Sequence, residues 1–104
     1  MSELARIRAE EVEKGRAVHL SGGPDGICLV RIGDDFYALA DRCSHADVRL
    51  SEGEVDEFEC SVECWKHGST FDLVDGEPQS LPATQSVVVY RVTREGDEIV
   101  VRDE

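Results

Sequence analysis

The residues best equipped for chemistry fall into two short mixed groups, Cys43-Ser44-His45 and Cys64-Trp65-Lys66-His67, with eighteen residues between them. Each offers one thiol and one imidazole, in the order Cys, His, Cys, His. Two soft thiolates and two neutral ring nitrogens suit either tetrahedral zinc or an iron–sulfur cluster with mixed ligands. Zinc modules usually set a Cys-x-x-Cys knuckle against a pair of histidines. Here each half is mixed, which suits a two-iron cluster better, with both cysteines on one iron and both histidines on the other.

Such a site needs a scaffold. The apolar residues recur in β-branched runs bounded by Gly and Asp, the pattern of many short strands. Residues 4–8 alternate, and 10–14 predict one helical turn before Gly15. Arg16–Leu20 and Ile27–Ile32 read as a hairpin joined through Ser21-Gly22-Gly23-Pro24-Asp25-Gly26, a stretch rich in turn formers. Gly33-Asp34-Asp35 turns the chain into residues 36–40, and 87–92 with Glu98–Arg102 form a last hairpin around Arg94-Glu95-Gly96-Asp97. The two mixed groups lie between these strand-rich halves. The expected fold is therefore all-β: a sandwich-like base of antiparallel sheets built from both ends of the chain. A cluster-binding lobe is inserted over approximately residues 41–74. At 104 residues the expectation is one domain, 1–104.

With these elements placed, the chain resembles the Rieske [2Fe–2S] family, whose pattern is Cys-x-His, a spacer, then Cys-x-x-His. Gly68-Ser69-Thr70-Phe71-Asp72 and Asp75-Gly76-Glu77-Pro78 extend the match. The resemblance implies the base-and-lobe topology and one [2Fe–2S] cluster per chain. It implies Cys43 and Cys64 as ligands of the inner iron, and His45 and His67 as ligands of the outer iron. Each imidazole would bind through one ring nitrogen and keep the other near solvent, a short exit for an electron.

Three departures from the high-potential branch of the family are informative. That branch carries a disulfide between two further cysteines, where this chain has Val48 and Lys66. It also carries a tyrosine that donates a hydrogen bond to a ligand sulfur, where this chain has Phe71. Hydrogen bonds to sulfur stabilise the reduced cluster, so their loss lowers the potential. Ser69 remains available to contact a bridging sulfide. The resemblance is thus to the low-potential ferredoxins. Lys66 would raise the potential slightly if it points inward, and would act mainly in docking if it points outward.

Other residues receive plainer readings. Cys28, within Ile27–Ile32, reads as a small buried hydrophobe, and Cys60 as a buried structural thiol. His19 reads as an ordinary strand histidine. Trp65 is expected to cover an apolar side of the cluster. Pro82 fits either a loop over the cluster or a turn before the next strand.

Charge and length exclude several classes. With 23 acids against 11 bases, the formal net charge is −12, so nucleic acid and anionic membranes are poor partners. Seven acids, Asp47, Glu52, Glu54, Asp56, Glu57, Glu59 and Glu63, stand between the two groups, against Arg49 alone. They read as a solubilising surface or as a docking field for a basic partner. No apolar stretch is long enough to cross a bilayer, and residues 1–7 carry no secretory pattern. The expectation is a cytoplasmic monomer.

The resemblance implies a carrier and not an enzyme, moving single electrons from an NAD(P)H-dependent flavoprotein reductase to a non-haem iron aromatic-ring oxygenase. Within the same fold, service in iron–sulfur cluster assembly and a nitrite reductase small subunit are alternatives. The latter often lacks ligands that are all present here. From a different class, a colourless structural zinc module used for interaction remains open.

Overall fold

The computed structural model describes residues 3–43, 48–66, 68–79 and 85–103. Its strands are β1 (Glu3–Arg8), β2 (Arg16–Leu20), β3 (Ile27–Ile32), β4 (Asp35–Ala40), β5 (Val55–Asp56), β6 (Ser61–Glu63), β7 (Thr70–Asp72), β8 (Val89–Glu95) and β9 (Glu98–Arg102). Among the described residues all strand pairings are antiparallel, in a six-stranded order β1-β9-β8-β4-β3-β2 and a three-stranded order β5-β6-β7. The expected all-β fold, with a base drawn from both ends of the chain, is what forms.

The larger sheet bends at β8. Its first residues pair with β4 (Leu39↔Val89, Ala38↔Tyr90), and the rest pair with β9 from Arg91↔Arg102 to Glu95↔Glu98. One strand thus serves two faces, and the apolar residues between them close a core of Ala9, Val12, Ile27, Leu29, Ala38, Ile99 and Val101.

β3 explains how a second core arises. Four successive residues, Ile27 to Val30, are fully buried. Successive side chains of a strand point to opposite faces, so such a run must be covered on both. Ile27 and Leu29 face the base core, while Cys28 and Val30 face a second core with Leu39, Cys43, Leu50, Val62, Cys64, Phe71, Leu73 and Val87. The small β5-β6-β7 sheet supplies Val62 and Phe71 to that second core.

Two boundaries differ from the sequence expectation. The predicted helical turn is a 3-10 turn over Ala9–Glu11. Ala9 donates its N–H to Asp97, and the buried Val12 donates to Ala9, so core packing fixes the turn early. The first strand of the last hairpin starts at Val89 and runs to Glu95, leaving Val87 and Val88 as an approach segment.

Candidate metal centre

Both cysteines of the mixed groups begin loops that close in the same way. The Cys43 N–H donates to the Val48 carbonyl at 3.0 Å, and the Cys64 N–H donates to the Ser69 carbonyl at 2.6 Å. Each loop therefore returns upon its cysteine after five residues. In the second, Gly68 donates back to the Cys64 carbonyl at 2.9 Å with φ +77°, a conformation that favours glycine. His45, its neighbours 44, 46 and 47, His67, and Pro82 within 80–84 lie outside the described residues.

Neither thiol is in a disulfide, and both are buried, Cys43 at 2% exposure and Cys64 at 0%. They share one apolar core with Leu50, Val62 and Phe71. Dry, soft sulfur donors brought together by two matching loops fit an iron–sulfur cluster. Ser69 is fully buried inside the second loop, and its carbonyl is the one that accepts the Cys64 N–H. Phe71 is fully buried in β7, paired with Val62. Val48 is half-buried against the same core, and Lys66 is exposed.

Of the plainer readings, that of Cys28 holds, and those of Cys60 and Trp65 change. Cys28 is indeed a buried hydrophobe, and burial, with the negative charge of Asp41, pushes its thiol well above the ordinary value. Cys60 is not fully buried: it sits half-exposed at φ 54°, where a turn reverses the chain between β5 and β6. It hydrogen-bonds the Tyr37 side chain; that bond, then burial, raises the Tyr37 phenol. Trp65 keeps 53% of its surface exposed, so it presents a face to solvent beside Cys64.

His19 is a strand residue, as expected, but it has a partner that local pattern does not reveal. It pairs with Cys28 across the sheet, so its ring lies on the same face as Cys28, toward the second core, where Nδ1 bonds the carboxylate of Asp41. Asp41 also accepts the N–H and the hydroxyl of Ser51. The only sequence sign of this network is an acid standing at the end of an apolar strand.

The comparisons with known proteins agree with this geometry. The Rieske [2Fe–2S] domain family matches residues 3–91. The 3-phenylpropionate/cinnamic acid dioxygenase ferredoxin subunit of Escherichia coli K12 is 35% identical over 101 residues, covering 97% of this chain and 93% of the relative. The ferredoxin of carbazole 1,9a-dioxygenase from Nocardioides aromaticivorans IC177 superposes over 100% of both chains, with a TM-score of 0.94 and 29% identity. A ferredoxin solved in complex with the reduced oxygenase of carbazole 1,9a-dioxygenase gives a TM-score of 0.86 at 31% identity, over 95% of this chain and 94% of that one.

The chain belongs to the Rieske [2Fe–2S] family. Its cofactor is a [2Fe–2S] cluster, and its role is that of a ferredoxin, an electron carrier and not itself a catalyst.

Proposed function

We propose that Cys43 and Cys64 hold the inner iron of the cluster and that His45 and His67, one in each loop, hold the outer iron. The chain then carries single electrons from an NAD(P)H-dependent flavoprotein reductase to a non-haem iron aromatic-ring oxygenase. The observation that supports the ligand assignment is the pair of matched loops, each opening on a buried cysteine outside any disulfide. The partner assignment is supported by relatives that are dioxygenase ferredoxin subunits and by a similar ferredoxin solved with its oxygenase.

When bound, the cluster supplies a one-electron couple whose potential is set by its ligands and surroundings. The residues of the chain do the rest. The apolar core keeps water from the sulfur side. Exposed Trp65 and Lys66 border the second loop for contact with a partner. All 104 residues act as one domain, with residues 41–74 as its cluster-binding lobe. No described helix is long and apolar enough to cross a membrane, and the reading places the carrier in the cytoplasm, where its nicotinamide-fed reductase works.

The test is the purified protein itself. It should be red-brown, contain two irons per chain, and support substrate oxidation when mixed with a reductase and an aromatic-ring oxygenase. A colourless protein holding zinc would overturn the reading.

A further inference from the structure

The first cluster loop is gripped by a carboxylate that the ligand scheme leaves unused. The Asp41 side chain is fully shielded from solvent. Its Oδ1 accepts the Ser51 N–H at 2.8 Å, and its Oδ2 accepts the Ser51 hydroxyl at 2.6 Å. His19 Nδ1 donates to the same Oδ2. The backbone N–H of Asp41 donates to the Gly26 carbonyl at 3.1 Å, extending the β3–β4 ladder to the residue before Arg42 and Cys43.

These bonds join three pieces of chain: the end of β4, strand β2 through His19, and the turn Leu50–Glu52 that follows the loop. Cys43 and its closing bond to Val48 lie between Asp41 and Ser51. One carboxylate therefore ties the entry of the loop to its exit and to the sheet.

A neutral side chain could make part of this clamp. A buried carboxylate is retained only where donors satisfy it, and here three do. Its charge also acts on the core around it, since Asp41 helps push up the thiol of Cys28, which shares that core with Cys43 and Cys64. Reducing the cluster adds a negative charge to the same poorly screened interior, and a fixed carboxylate nearby opposes that addition.

We propose that Asp41 is a positioning residue for the Cys43 loop and that its buried negative charge holds the cluster's reduction potential down. This rests on Cys43 being a ligand.

The experiment measures midpoint potential, visible spectrum and EPR signal of the loaded protein. Asp41→Asn keeps the shape and loses the charge; it should retain the wild-type spectrum and titrate at a higher potential. Ser51→Ala removes one donor and leaves the charge less neutralised, so its potential should fall. Asp41→Ala, which leaves the donors without an acceptor, should lose its visible absorbance several-fold faster than wild type. An Asp41→Asn protein with an unchanged or lowered potential overturns the proposal. If Asp41→Asn holds no cluster, Ser51→Ala decides, and an unchanged or raised potential there overturns it. Cys43→Ser separates the two readings: a wild-type spectrum in that variant sinks the ligand assignment, whatever Asp41 does.

Discussion

Four cysteines of one chain take three different fates, and surroundings sort them. Cys43 and Cys64 open loops, Cys28 sits in mid-strand, and Cys60 occupies a turn at positive φ. Replacing Cys43, His45, Cys64 or His67 by Ala should abolish or grossly impair cluster retention, read from the visible spectrum, while Cys28→Ser and Cys60→Ser retain it. A Cys60→Ser protein that cannot hold iron, beside a Cys64→Ser protein that can, reverses the assignment. The fate of Cys28 was legible from its apolar neighbours. That of Cys60 was not, because its partner Tyr37 is brought to it from β4, distant in sequence. Cys28 also carries a pH dependence. Its folded thiol stays protonated where an unfolded one ionises, so the unfolded state releases a proton first. Its contribution is therefore fully present below the ordinary thiol value of 9.0 and is lost as pH rises above it. Unfolding titrations at alkaline pH should show this loss in the wild type and a shallower one in Cys28→Ala. At Phe71 the absence of a hydroxyl, with Val48 and Lys66 in place of a disulfide, puts the expected potential at about −150 mV, the low end of the family range. Phe71 is fully buried in the core that holds Cys43 and Cys64. Phe71→Tyr should therefore raise the potential through a new hydroxyl-to-sulfur bond. A midpoint above zero in the wild type, or no shift in the variant, contradicts this view of the environment.

At the scale of elements, the long strands announced themselves and the short ones did not. Each strand of the β2–β3 and β8–β9 hairpins has five or more residues, and each turn contains Gly, enough for period and punctuation to agree. β5, β6 and β7 have two or three residues each, too few for a period to register. Their placement depends on a close approach instead. A Cβ on Gly53 would overlap the Glu63 carbonyl, although the backbone there, φ −89° and ψ −178°, is open to any residue. The glycine serves packing and not conformation, letting Glu63 donate its N–H to Glu54 at 2.8 Å one residue before Cys64. Gly53→Ala must push these segments apart, at a cost of about 1–3 kcal/mol typical of overpacking. Thermal unfolding should show a fall of roughly 4–8 °C per kcal/mol for a domain of this size. An unchanged melting temperature means the approach is looser than it stands. The clamp of His19, Asp41 and Ser51 was beyond sequence reading for a related reason: nothing in one strand names its partner across another.

Over the whole molecule the excess of acid has a location. Glu54, Asp56, Glu57 and Glu63 border a groove of about 270 Å³ with Val55, Ser61 and Thr70. Glu52 and Glu54 border another against Gly15, Arg16 and Ala17. The antiparallel register sets Glu54 beside Glu63, adjoining Cys64, with Asp56 and Glu57 farther along the hairpin. The acidic field thus runs from the far end of the small sheet up to the Cys64 loop, where exposed Lys66 interrupts it. A basic reductase surface meeting this field is drawn toward the cluster end, and salt screens the attraction over about 10 Å at 0.1 M ionic strength. Reduction by the reductase should therefore slow as salt rises. Neutralising Glu52, Glu54, Asp56 and Glu57 removes four negative charges from −12 and leaves −8, and it should flatten that dependence. Stopped-flow reduction rates for both proteins across a salt series decide the matter. Equal slopes would show that these acids only keep the chain in solution, and that docking depends on apolar contact at surfaces such as the exposed ring of Trp65.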